Sequence, residues 1–118
     1  MQGTQFAVAF HVPGTLAADL NIRFTAPKAC QLIHVSAVGS NSNNGIIDIG
    51  PSTDTDAYVD GADIGDSNVP AEYDQDDFEG DEFPHIAAGT IICITLDHDG
   101  DGGTAAQNFT VVLTFTEG

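Results

Sequence analysis

A chain of 118 residues with two basic side chains against eighteen acids, a formal charge of −16, repels phosphate wherever those acids gather. They gather unevenly: residues 1–47 set Asp19 against Arg23 and Lys28, whereas residues 48–101 hold sixteen acids and no Lys or Arg. Nucleic acid and anionic membrane are therefore excluded as partners of that surface. Self-repulsion on this scale points to a salty habitat, bound cations or a basic partner surface, with plain solubility as the simplest alternative.

One domain, residues 1–118, is the natural division, able to bury roughly two-thirds of its unfolded surface without a disulfide framework. Cys30 and Cys93 both sit inside apolar strand patterns, where a free thiol acts as a small buried hydrophobe; a disulfide is the alternative. The opening Met-Gln-Gly-Thr-Gln-Phe has neither the basic nor the apolar part of a signal peptide, and no run approaches the roughly 18 apolar residues of a membrane span. The expectation is a soluble protein made in a cytoplasm.

The first strand is predicted over Gln5 to Val12, where Phe6, Val8, Phe10 and Val12 alternate with Gln5, Ala7, Ala9 and His11 until Pro13-Gly14 stops it. A second follows through Leu20, Ile22 and Phe24 and closes at Pro27. The third has Ile33, Val35 and Ala37 on its apolar face, with His34 and Ser36 opposite. Asn44-Gly45 suits the positive backbone angles of a tight hairpin turn into Ile46–Gly50. From Pro51 to His85 Asp and Gly dominate, with a short strand around Ala57-Tyr58-Val59. An acidic excursion at about residues 66–86 interleaves its carboxylates with Tyr73, Phe78 and Phe83, rings that would pin it over a sheet edge, and ends in a strand at Glu82 to Ile86. The last two strands carry the strongest pattern. Ile92, Ile94 and Leu96 share one face of an almost wholly apolar segment, and Phe109, Val111, Leu113 and Phe115 alternate with Thr110, Val112, Thr114 and Thr116. They read as a hairpin, or as two core strands joined across an acidic loop. No helix has a convincing period. The expected fold is all-β, an antiparallel β-sandwich of about eight strands in a jelly-roll or related Greek-key arrangement.

Chemistry-bearing motifs are few. Asp97-His98-Asp99-Gly100-Asp101-Gly102 resembles the opening half of a calcium loop, with Asp97, Asp99 and Asp101 as candidate oxygen ligands. An EF-hand would need a bidentate Glu where Asn108 stands, and helices where strands are expected; a strand-connecting calcium loop or a solvated acidic turn remain. His11, His34, His85 and His98 lack paired ligand spacing, so a zinc site would require distant strands. There is no nucleophile elbow and no phosphate-cradling loop, and two basic residues leave little to anchor anionic substrates. A non-enzymatic protein with no required cofactor, calcium being optional, is expected.

Phe6-Ala-Val-Ala-Phe-His-Val-Pro, Arg23-Phe-Thr-Ala-Pro-Lys-Ala-Cys-Gln-Leu-Ile-His-Val-Ser-Ala, Ile47-Asp-Ile-Gly-Pro-Ser-Thr-Asp-Thr-Asp-Ala-Tyr-Val-Asp-Gly-Ala-Asp-Ile and Phe109-Thr-Val-Val-Leu-Thr-Phe-Thr-Glu-Gly together resemble small jelly-roll-like structural proteins of tailed bacteriophages, capsid decoration (cement) proteins among them. The resemblance implies a virion protein on the capsid surface, bound to the major capsid protein as a homo-oligomer, a trimer above all. It carries over no functional residues, since such proteins act through surfaces. The runner-up is a calcium-dependent ligand- or carbohydrate-binding sandwich module of a virion tail or fibre, supported by the Asp97–Asp101 loop with Tyr58 and Tyr73 and weakened by the lack of Trp.

Overall fold

A computed structural model of the chain describes residues 4–117. Nine strands follow one another: β1 Gln5–Thr15, β2 Leu20–Thr25, β3 Cys30–Val38, β4 Ile46–Pro51, β5 Val59–Asp63, β6 Ala71–Tyr73, β7 His85–Ile86, β8 Ile91–Asp97 and β9 Gln107–Glu117. They form two sheets, one ordered β1-β9-β3-β6 with β7 also on β3, the other β2-β8-β4-β5. Every pairing between these strands is antiparallel. Only β4 and β5 are neighbours in both sequence and sheet; every other pairing joins distant parts of the chain, as in Greek-key winding. The all-β antiparallel sandwich read from the sequence is the fold observed.

The core lies between the inner strands. Phe109, Val111, Leu113 and Phe115 of β9 face Ile92, Ile94 and Leu96 of β8, all at most 1% exposed. Each such side chain contributes roughly 1.5–3 kcal/mol on burial. This answers the hairpin question: β8 and β9 are core strands of opposite sheets joined across the acidic loop, because two strands with such apolar inward faces bury more by facing each other than by lying side by side. Cys30 and Cys93 are both free and buried.

The predicted Asn44-Gly45 hairpin is not formed, since β3 and β4 belong to different sheets and neither residue has a positive φ. Asn44 is instead tied to a distant loop, its N–H donating to Thr104 O at 3.0 Å and its Oδ1 accepting from Thr104 N at 2.8 Å. Gly45 lies against Ile64, whose side chain would have to shift for a Cβ there, 2.8 Å from Ile64 Cδ1.

Register shifts interrupt strict alternation in β1, in β3 and in the β4–β5 pair. Pro13-Gly14 does not end β1; the strand runs to Thr15 through a register shift after Val12, with Gly14 at φ +84° and its N–H donating to Asn108 Oδ1 at 2.8 Å. In β3 a register shift between Leu32 and His34 puts both Leu32 and Val35 inside at 0% exposure. Ile33, assigned to the inward face by simple alternation, is the residue displaced to a half-buried position.

The two long flanks of the sandwich differ. At one, Tyr73 Oη donates to Asp63 O, and Phe78, 2% exposed, meets Phe83 edge-on with centroids 6.3 Å apart. These are the rings expected to pin the acidic excursion, which also contains 3-10 turns at Gln75–Asp77 and Glu79–Asp81. Its expected strand shrinks to His85–Ile86. At the other flank the edge strands β1 and β2 approach through Phe10 and Phe24, centroids 5.6 Å apart.

The bulge in β3 makes a prediction. Leu32→Ala should lose about 3 kcal/mol by leaving a cavity, whereas Ile33→Ala should lose less than about 1 kcal/mol. Urea unfolding of both variants checks this, and equal losses would refute the register.

Candidate interaction surface

Because Phe109, Val111, Leu113 and Phe115 point inward, Thr110, Val112, Thr114 and Thr116 of β9 line the outer face of the first sheet. Opposite them in β1 stand His11, Ala9, Ala7 and Gln5, and in β3 Val38, Ser36, His34 and Gln31. His85 of β7 extends the row beside Gln31. The result is a face of small neutral side chains and three of the four histidines. His11 Nδ1 and Thr110 Oγ1 are 2.7 Å apart, and Gln31 Nε2 and His85 Nε2 are 2.8 Å apart. Carboxylates touch this face only at its margins, where each has a partner. Glu72 lies 3.3 Å from His34 Nε2, and Glu117 lies 3.4 Å from Lys28 Nζ.

The β4–β5 half of the second sheet is the opposite case. Asp48 in β4 accepts Gly61 N–H at 2.6 Å, and burial, with Asp60, Asp56 and Asp97 nearby, raises its carboxyl above the usual range. A hydrogen bond with Asp56 raises Asp54 likewise. Burial at Asp48 and the hydrogen bond at Asp54 lead these shifts, and the neighbouring carboxylates add to both, a sign of uncompensated field.

The loop singled out in the sequence follows β8. Asp101 N–H donates to Asp99 Oδ1 at 3.1 Å and reaches Asp97 Oδ1 at 3.4 Å, so these two carboxylates converge on one amide while Asp101 itself is exposed. The Gly102 N–H, then His98, hold Asp99 below the usual carboxylate range. Among the described residues, the group of three whose ligand-type atoms fall within 4.8 Å of one another is a different one: Asp19, Asp97 and His98. Asp19 and His98 were missed as a pair. They are 79 positions apart in the chain, and no local spacing announces their meeting. Asp97, Asp99 and Asp101 are an oxygen set suited to a hard cation such as calcium, whereas the second trio adds an imidazole that suits zinc-like ions. Both sets make hydrogen bonds within the chain itself. Asp19 Oδ1 accepts from the His98 backbone N–H at 3.1 Å and lies 2.7 Å from its Nδ1, fastening the β1–β2 connection to the end of β8.

That bond sets a pH dependence. It raises His98 above 6.5, with Asp99 and Asp97 adding to the effect, and lowers Asp19 below 3.8. Its stabilisation is therefore complete between pH 3.8 and 6.5. It fades as pH rises through the raised His98 value, or falls through the lowered Asp19 value. Thermal melts in chelator should show Asp19→Asn less stable than the native chain near about pH 5, with the gap closing toward alkaline and strongly acid pH. A pH-independent gap would contradict this account.

No protein-family model and no curated protein matches the chain. In structure it is similar to a chain of the Cyanophage Pam1 capsid asymmetric unit, with a TM-score of 0.56 at 12% identity over 99% of this chain and 87% of that one. At that identity the likeness is one of fold.

Proposed function

We propose that this chain is a virion structural protein, a capsid decoration (cement) protein that binds the outside of a phage head and stabilises it through protein–protein contacts. The observation that carries this is the segregation of charge. A carboxylate-poor face on the first sheet, built largely from the strands of residues 5–38, stands apart from the β4–β5 half of the second sheet and the excursion, where the acids crowd. Docking through the neutral face buries Ala, Ser, Thr and Gln side chains and leaves the carboxylates in water, which avoids the several kcal/mol of desolvation that an unpaired buried charge costs. The fold shared with a chain of the Cyanophage Pam1 capsid asymmetric unit supports a phage structural role. In this reading the partner is the major capsid protein, and a homo-oligomer, a trimer for preference, sits at symmetry-related positions. Its added interface area resists the outward pressure of packaged DNA, which the acids facing away do nothing to attract.

A second reading, a calcium-dependent ligand- or carbohydrate-binding module of a tail or fibre, draws on the convergence of Asp97 and Asp99 on the Asp101 amide. It requires thermal stability and glycan binding that appear with calcium and vanish on chelation.

The decoration reading is tested by cosedimentation with heads lacking the protein. Ala7→Glu, Ala9→Glu and Ser36→Glu each place a carboxylate in the docking face and should weaken binding at least about tenfold, given the desolvation cost. Asp54→Asn, on the acidic side, should leave it unchanged. Undiminished binding by all three Glu variants would sink the assignment.

A further inference from the structure

We infer that the flank between β1 and β2 is where a second copy of this chain docks. This deepens the homo-oligomer part of the proposed function and rests on it, while naming a surface distinct from the outer sheet face.

The inward faces of β1 and β2 are aimed at the core yet remain half-buried. Phe6, Val8, Phe10 and Val12 on β1, with Leu20, Ile22 and Phe24 on β2, pack against the core from its margin. At the opposite flank Phe78 is buried, with Tyr73 and Phe83 half-buried beside it; among the described residues no strand pairs with the outer edge of β1 or of β2. Edge strands are usually guarded by charge, proline or a covering segment. β1 carries no Asp, Glu, Lys or Arg, and its proline and bulge come only after Val12, leaving Gln5–Val12 unguarded.

The occupant follows from charge. Two bodies of charge −16 repel wherever their acids meet, so a second copy must approach through a surface without them. Along β1 and β2 there is no acid at all. Asp19, in the connection between them, is already bonded to His98. Arg23 of β2 has no carboxylate within ion-pair reach among the described residues; its Nε donates to Asn21 Oδ1 at 3.3 Å. Apposing two such flanks turns both acidic flanks outward.

Size agrees. At about 3.3 Å per residue β1 is about 36 Å long and β2 about 20 Å, and with each edge presenting roughly 10 Å of width the two copies together bury about 1,100 Å². That reaches the roughly 1,000 Å² expected of a specific interface when the segment past the Val12 register shift is included, and is about 900 Å² without it. The apolar rows then complete one another's margins, and the free edge of β1 gains a hydrogen-bonding partner.

The test is the native mass by sedimentation equilibrium in about 0.1 M salt, where the Debye length is about 10 Å and long-range repulsion is muted. The native chain should run as a multiple of 12.3 kDa. Val8→Lys and Ile22→Lys should reduce it to the single-chain mass, and Asp60→Lys in β5 should not. Lysine can carry its charge out to solvent along an apolar stem, so the monomers should stay folded, as circular dichroism would show. Independently of any variant, hydrogen exchange of the β1 amides in the native chain should slow as concentration rises. A native chain that is monomeric up to about 1 mM, or an oligomer untouched by both Lys variants, overturns the inference. Head binding measured on the same samples separates it from the parent reading. A monomer that binds heads refutes only the second copy, and more so if Val8→Lys abolishes that binding, since the capsid protein would then occupy the flank. An oligomer broken by Val8→Lys that ignores heads upholds the flank and refutes decoration.

Discussion

Water has to reach nearly every carboxylate of this protein. Two cations cannot compensate eighteen acids, and an unpaired carboxylate taken into the interior costs several kcal/mol. Accordingly, no charged or polar side chain is buried among the described residues. Whatever the chain buries, in its core or against a partner, must be assembled from the segments between the acids.

The strand order satisfies this constraint. β8 and β9, the most apolar segments, occupy inner positions and carry acid only at their last residues, Asp97 and Glu117. The acid-bearing β5 and β6 sit at sheet edges on one flank, the acid-free β1 and β2 at the edges of the other. Folding thus converts a lopsided distribution along the sequence into a lopsided molecule. Lys28 and two of the histidines are used at seams: Lys28 with Glu117, His34 with Glu72, and His98 with Asp19. Function, in the proposed reading, follows from the same asymmetry, because neutral surfaces associate at low desolvation cost while the acids keep the assembled exterior hydrated.

Much of the fold was legible where period and burial coincide. β9 could be read from its Phe, Val and Leu alternation, and β8 as a central strand from apolar residues on both faces. Legibility failed where a backbone irregularity or a distant contact decided the outcome. Ile33 and Leu32 are equally apolar, and only the bulge in β3 determines which faces inward. Asn44-Gly45 has hairpin chemistry, but its partners are Thr104 and Ile64, far along the chain. β6 is three residues long and owes its existence to pairing with β3, which no local pattern reveals. At the surface, the acid block was obvious and the neutral outer face was not, because that face alternates with the core in the same strands and takes shape only once β1, β9 and β3 are in register. The Asp19–His98 contact likewise depends on two loops meeting.

The central claim, that the acids face away from every partner while the outer face of the first sheet is covered, is most directly tested by chemical footprinting of the protein on intact particles against the isolated chain. Histidine acylation and carboxylate amidation would be read residue by residue by mass spectrometry. The account predicts that His11 and His34 lose reactivity on the particle while Asp54, Asp60 and the acids from Asp74 to Glu82 keep theirs. Protected carboxylates with fully reactive histidines would mean that the molecule docks by its acidic side, and would contradict it.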